Sequence, residues 1–286
     1  MMNLKCPLGR HAILIILFLL KYSVCSAQTI AELTPTIQNS VPINGMMMYY
    51  EIYGQGEPLV LLHGFTGSGK NWASIVDDFS GKYQVIVPDL RGHGQSTNPG
   101  NEFTHRQSAL DVFALLDHLG IDDFKAMGIS TGGMTLLHAA TQQPERVSAM
   151  VLIGSTIYFP EQAREIMRSV IVESQSEESW AGMRQEHVHG DEQIKSLWNL
   201  FYNFQYNYDD MNFTAPYLST IKARTLIVHG DRDDFFPVSI PIEMYLAIPN
   251  SALWIVPEGG HVPVFGENEA YFIQRATSFL KGSSVD

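Results

Sequence analysis

From residue 46 onward, short apolar runs alternate with segments of helical period. Met46 to Tyr53 alternates between Asn44-Gly45 and Gly54-Gln55-Gly56, which predicts a strand paired with its neighbour through a turn. Leu59 to Leu62, Gln84 to Val87, the run opening at Phe124, Val147 to Ile153, Arg224 to Val228 and Ala252 to Val256 are short for helices and read as buried strands. Helices are predicted over Ser68 to Phe79, Thr104 to Leu119, Thr131 to about Gln142 and Gly266 to Leu280. The second has apolar residues at Ala109, Leu110, Val112, Phe113 and Leu116, and Gly120 stands where a helix C-cap would. Strands in alternation with helices predict an α/β domain with a mostly parallel sheet and helices on both faces.

The rhythm breaks between Gly154 and Ile221, where helical pattern continues without a convincing strand. Glu161 to Ser174 and Glu177 to Phe204 read as helices. This segment is expected to form a helical lid, at about 156–221, inserted between strands 6 and 7 and lying over the strand C-termini. It is rich in aromatics at Trp198, Phe201, Tyr202, Phe204, Tyr206 and Tyr208. These form the insert's own core, line a pocket, or divide between the two.

Composition changes the picture at the N-terminus. Lys5 and Arg10 precede the apolar run Ala12 to Leu20, and Cys25-Ser26-Ala27 offers small residues for a cut before Gln28. Residues 1–27 are therefore expected to be a signal peptide, 28–42 a linker and 43–286 the folded domain. Nine apolar residues closed by Lys21 are too few for a helix to cross about 30 Å of hydrocarbon, so no stable membrane span is expected after cleavage. Export to a periplasm or to the exterior follows, with an uncleaved N-terminal anchor as the alternative. Both cysteines, Cys6 and Cys25, lie in this leader, so the mature chain rests on its core alone. Removal of Lys5, Arg10 and Lys21 takes three of 18 basic residues and none of the 30 acidic ones, so a net charge of −12 becomes −15. With no cluster of Lys and Arg to neutralise a row of phosphates, nucleic acid is not an expected partner.

The candidate chemistry centres on Gly128-Ile129-Ser130-Thr131-Gly132, a G-x-S-x-G pattern at a strand-to-helix junction. The tight turn lifts a serine hydroxyl above the sheet edge and turns the first free N–H groups of the helix toward the oxygen it attacks. A serine hydroxyl needs a base, and the base needs a group that fixes its tautomer. Two later loops supply both: His229 to Pro237 contains Asp231, Asp233 and Asp234, and Pro257 to Pro263 contains His261. A decoy lies at Gly64-Phe65-Thr66-Gly67-Ser68-Gly69-Lys70-Asn71, one residue from a phosphate-binding loop; Asn71 lacks the hydroxyl that would ligate magnesium.

In these motifs the chain resembles the α/β-hydrolase fold family, in its lidded branch with a Ser-Asp-His triad. The resemblance runs from about Ile43 to Leu280 through His63-Gly64-Phe65, Asp89-Leu90-Arg91-Gly92-His93-Gly94-Gln95-Ser96, the elbow, the Gly-Asp-x-Asp loop and the Gly-Gly-His loop. It implies an eight-stranded sheet, Ser130 as nucleophile, Asp233 as acid and His261 as base. Asp231 then shapes its loop and Asp234 is solvated. It also implies an oxyanion hole made by the backbone N–H groups of Phe65 and Thr131, with His63 and His93 shaping loops. Family members that open haloalkanes or epoxides carry aspartate at the elbow, whereas serine here implies an acyl-enzyme. The expected activity is that of a serine carboxylesterase acting on a small-molecule acyl substrate, an ester of small to medium size and apolar character, with no cofactor and no metal. The alternatives on the same triad are a C–C bond hydrolase, a proline-type aminopeptidase using Glu173, Glu177 or Glu178 to hold an amine, and a cofactor-free perhydrolase. A catalytically silent binding protein is a further alternative.

Overall fold

A computed structural model describes residues 34–282. The expected signal peptide and the first part of the expected linker lie outside the described residues.

Eight strands form one sheet: β1 (Ile37–Ile43), β2 (Met46–Tyr53), β3 (Glu57–Leu62), β4 (Tyr83–Pro88), β5 (Phe124–Ile129), β6 (Val147–Ile153), β7 (Arg224–Gly230) and β8 (Ser251–Val256). Their order is β1-β2-β4-β3-β5-β6-β7-β8. β2 is antiparallel to both β1 and β4, and the remaining pairs are parallel. The chain leaves β3 toward β4 on one side and returns to β5 on the other. That reversal opens a crevice at the carboxyl ends of β3 and β5, the place where open α/β sheets bind ligands. The Gly64-Phe65 loop leaves one of those ends and Ser130 the other.

The inner strands are buried on both faces, and the alternation of their side chains divides the core in two. Val60, Leu62, Met150 and Leu152 face α2 (His105–His118), α3 (Thr131–Gln142) and α8 (Ser239–Ala247). Leu59, Leu61, Val151 and Ile153 face α1 (Val76–Ser80) and α9 (Glu269–Lys281). Thr104 caps α2 by accepting from the Gln107 N–H at 3.0 Å, and Gly120 takes a φ of 71° just beyond its end.

Four departures from the sequence expectation have local causes. Ile37–Ile43 is a strand where a linker was expected; it sits at the sheet edge, and its first four residues are exposed, so it shows no apolar alternation. Ser68 to Phe79 is not one helix. A 3-10 turn at Gly69–Trp72 precedes α1, although Trp72, Ile75, Val76 and Phe79 still face the sheet with helical spacing. The helix predicted from Glu177 to Phe204 divides into α5 (Glu177–Glu186) and α6 (Asp191–Asn203), because Gly190 adopts a φ of 83° between them. α8 has no amphipathic pattern and carries Pro241, so nothing marked it in the sequence.

Helices α4 (Glu161–Ser169), α5, α6 and α7 (Ala215–Leu218) occupy the insertion between β6 and β7. The insertion has a small core of Val170, Met183, Ile194, Leu197 and Trp198, with Trp180 set edge-on to Trp198 at 4.5 Å. It is tied to the sheet domain by Lys70 Nζ donating to Gln185 O at 2.6 Å, and by the Gly94 N–H donating to His187 Nδ1 at 2.9 Å. Among the described residues no helix is long and apolar enough to cross a membrane.

Candidate active site

Ser130 has φ 49° and ψ −111°, a conformation costly for a residue with a Cβ. The fold holds it there by closing β5 onto α3. A Cβ added to Gly128 would lie 2.5 Å from the main chain of Gly132, and one added to Gly132 would overlap the Leu62 carbonyl. Both glycines of the pattern are thus required by contact, not by flexibility alone. Gly132→Ala is expected to lower stability by about 1–3 kcal/mol, since the overlap is with backbone that cannot step aside. Urea denaturation measures this, and an unchanged midpoint would contradict it.

His261 follows β8 and stands between the other two side chains. Its Nε2 lies 3.0 Å from Ser130 Oγ, and its Nδ1 lies 2.9 Å from Asp233 Oδ2. A carboxylate only accepts, so Nδ1 is the donor and Nε2 presents its lone pair to the hydroxyl in the neutral ring. Of the three aspartates in the loop after β7, Asp233 is the one at the imidazole. Asp234 is exposed, and the Asp231 main chain binds the end of β8 through its N–H to Val256 O at 3.2 Å.

The Asp233 carboxylate is itself aimed. Oδ1 accepts from the N–H groups of Phe235 at 2.7 Å and Phe236 at 3.1 Å, leaving Oδ2 for His261. Burial pushes the carboxyl up, but the His261 ring, its hydrogen bond, His229 and the Phe235 N–H outweigh burial and hold it below the usual carboxylate range. It therefore stays charged through neutral pH. His229, fully buried at the end of β7, has Nε2 2.9 Å from Phe236 O and 3.5 Å from Asp233 Oδ2. Burial lowers its pKa, which keeps a neutral ring under the acid. No motif marks His229 in the sequence; its position four residues before Asp233 at a strand end is the available signal.

The loop after β3 passes beside the serine, since a Cβ added to Gly64 would sit 3.8 Å from Ser130 Cβ. The N–H groups of Phe65 and Thr131 donate to no acceptor among the described residues. Thr131 opens α3, whose dipole is positive at that end. His63 holds the loop in place: its Nδ1 donates to Gly64 O at 2.7 Å and its Nε2 accepts from the Leu90 N–H at 2.9 Å. His93 donates from Nδ1 to Arg91 O at 2.9 Å. Neither ring reaches the serine through these bonds; both brace the loops around it.

Aromatic rings roof the site. Phe235 lies 4.7 Å from the His261 ring and 6.3 Å from Phe201 of α6, and Phe201 is 5.8 Å from Phe65. Phe65 also meets Phe204 at 4.9 Å and Phe103 at 5.2 Å. The aromatic-rich stretch of the insertion is thus divided: Trp198 packs in the insert's core, Phe201 and Phe204 face the site, and Tyr206 and Tyr208 are exposed. Glu173, Glu177 and Glu178 lie on the solvent face. In the phosphate-loop decoy, Lys70 donates to the insertion, and Asp89 accepts from the Gly69 and Gln95 N–H groups, each at 2.7 Å.

Residues 57–174 match the family described as alpha/beta hydrolase fold. A soluble epoxide hydrolase from Corynebacterium sp. (strain C12) is 35% identical over 120 residues, a stretch that covers 42% of each protein. Serine hydrolase BPHL from Mus musculus is 27% identical over 264 residues, covering 85% of this chain and 87% of the relative. Among solved structures, a meta-cleavage product hydrolase from Pseudomonas fluorescens IP01 superposes with a TM-score of 0.72 at 23% identity, over 85% of this chain and 97% of that one. The chain has the α/β-hydrolase fold. It is a hydrolase of that fold.

Proposed function

We propose that the chain is a serine carboxylesterase acting on small to medium, largely apolar esters through an acyl-enzyme on Ser130. The reading rests on one observation: the unbroken line from Ser130 Oγ through His261 to Asp233, with contacts of 3.0 and 2.9 Å. His261 Nε2 takes the hydroxyl proton as Oγ attacks the ester carbonyl carbon. The oxyanion is held by the Phe65 and Thr131 N–H groups, each supplying a few kcal/mol that the ground-state carbonyl does not receive in full. The imidazolium gives its proton to the departing alcohol. Water, activated by the same nitrogen, then releases the acid and restores Ser130. Asp233 keeps the ring in the reactive tautomer and stabilises its charged form. The aromatic roof of Phe65, Phe201 and Phe235 suits an apolar acyl group and excludes water from the reacting atoms.

A fluorophosphonate probe is expected to label Ser130 and no other residue, with labelling lost in Ser130→Ala. A folded wild-type protein that stays unlabelled would overturn the proposal. Cleavage of a C–C bond is the second reading, favoured by the superposition on a meta-cleavage product hydrolase. A panel of short p-nitrophenyl esters against a vinylogous 1,5-diketone separates the two. Export through cleavage after Ala27 is part of the same proposal, and N-terminal sequencing of the mature protein tests it.

A further inference from the structure

We propose that His105 and Asp210 form a substrate-recognition dyad, in which His105 Nε2 hydrogen-bonds a hydroxyl on the acyl part of the ester, remote from the bond that is cleaved. The inference rests on the esterase reading of the Ser130 site and names its substrate class as hydroxyacyl esters.

His105 opens α2, and Asp210 lies in the insertion, 105 residues away. The Asp210 carboxylate accepts from His105 Nδ1 at 2.6 Å and from the N–H groups of His105 at 2.7 Å and Arg106 at 3.0 Å. Capping of the helix uses the two main-chain groups only, so any residue at 105 would preserve it. The imidazole adds something else. With Nδ1 committed as donor to a carboxylate, Nε2 is the free end of the ring. It is fully buried and has no hydrogen-bond partner among the described residues. An unpaired ring nitrogen in an apolar box is a standing cost that a purely structural position would shed by carrying leucine or phenylalanine.

The box adjoins the reacting centre. Phe103, Phe159 and Phe204 surround the His105 ring at 5.5, 6.0 and 5.5 Å. Phe103 and Phe204 also touch the Phe65 ring, at 5.2 and 4.9 Å. Phe65 follows Gly64, whose backbone passes beside Ser130, so His105 sits two ring contacts from the residue next to the nucleophile loop, at the far end of the same aromatic wall. A second orphaned nitrogen borders that wall: His93 Nε2 is buried and unpaired, with its ring 4.7 Å from Phe65 and 5.7 Å from Phe103. His93 donates from Nδ1, and burial holds its pKa well below normal, so Nε2 is an acceptor. A hydroxyl is the group that satisfies this surface. It donates to the Nε2 lone pair of either ring. A plain alkyl chain leaves both nitrogens unpaired.

The test compares matched p-nitrophenyl alkanoates with their terminally hydroxylated counterparts across a series of chain lengths. At the length that reaches His105, the wild type is expected to favour the hydroxylated ester by about tenfold in kcat/KM. His105→Phe is expected to bring that ratio to about one. A wild type without preference at any length, or a variant that keeps it, would overturn the inference. Fluorophosphonate labelling of the same samples separates the two levels: a labelled enzyme without preference removes the dyad's role, and an unlabelled one removes the esterase reading beneath it. Should His105→Phe fail to fold, imidazole 15N resonances of the Ser130→Ala protein serve instead. The Nε2 signal of His105 is expected to shift with an ω-hydroxyalkanoic acid and not with the plain acid; equal responses would overturn the inference.

Discussion

His261→Ala is expected to lower turnover of the proposed ester substrates by about 10⁴-fold or more, and combining it with Ser130→Ala is expected to cost almost nothing further. Both effects follow from the geometry of one hydrogen-bonded line. The serine hydroxyl is a weak nucleophile until a base takes its proton, and His261 Nε2 at 3.0 Å is the base within reach. Without the ring the hydroxyl is only a polar side chain, so removing it afterwards takes away nothing that still functions. Asp233→Asn is expected to cost a similar factor for a different reason. The amide can donate to Nδ1, which turns the ring over to the tautomer with a proton on Nε2 and no lone pair facing Ser130. A residual rate above that of water remains in all three variants, because the Phe65 and Thr131 N–H groups are main-chain donors untouched by the substitutions. Single-turnover kinetics on p-nitrophenyl esters measure these losses. Additive effects in the double variant would show that the side chains act separately and would refute the shared site.

The folded protein is expected to lose several kcal/mol of stability between about pH 6.5 and pH 4. His63, His138 and His187 are buried, and burial depresses each to about 4; burial likewise holds His93 well below its ordinary value. In the unfolded chain these rings titrate near 6.5. Below that value the unfolded state binds protons that the folded state refuses, so stability rises with pH across the window and levels off above it. Each ring contributes about 1.4 kcal/mol per pH unit while it resists protonation. Asp89 works in the opposite sense, because burial raises its carboxyl, but it is one group against four rings. Asp210, held at about 2, and Asp233 keep their charge throughout; burial raises both, and their His partners and main-chain donors more than offset it, so their share is lost only as the pH falls below about 4. Urea midpoints at pH 7 and pH 5 test this, and equal midpoints would refute it. His187→Gln keeps a donor and an acceptor without titrating in this range, and is expected to flatten the slope.

The acid-sensitive rings also explain what brackets the site. His63 binds the loop after β3 to Leu90, and His187 binds the insertion to Gly94. Protonation of either competes with a bond that positions an element next to Ser130. Loss of activity and loss of stability at low pH are therefore expected to share a cause.

How far the chain could be read without coordinates differs from element to element. Thr131–Gln142 was legible to the residue because a glycine-rich turn opens it and a helical period fills it. α2 was legible because its apolar residues recur at helical spacing and Gly120 stands at its end. β1 was hidden by its exposure at the sheet edge, and α8 by Pro241 and the lack of a polar face. Gly190 was visible, but a glycine alone does not say whether a helix bends, ends or tolerates it.

The same division holds at the site. Sequence by itself determined the chemical inventory and its chain order, with serine in an elbow, aspartates after one strand and histidine after the next, because these depend on local turns whose residues are adjacent. The resemblance already pointed to Asp233 among the three aspartates, whereas only the tertiary structure decided that His229 lies beneath it, that Phe201 and Phe204 roof the site while Tyr206 and Tyr208 face solvent, and that His105 pairs with Asp210. The roof and the His105–Asp210 pair are contacts across more than a hundred residues, and all of these facts are settled by the packing of the sheet, the helices and the insertion together, which has no signature in any short stretch of chain.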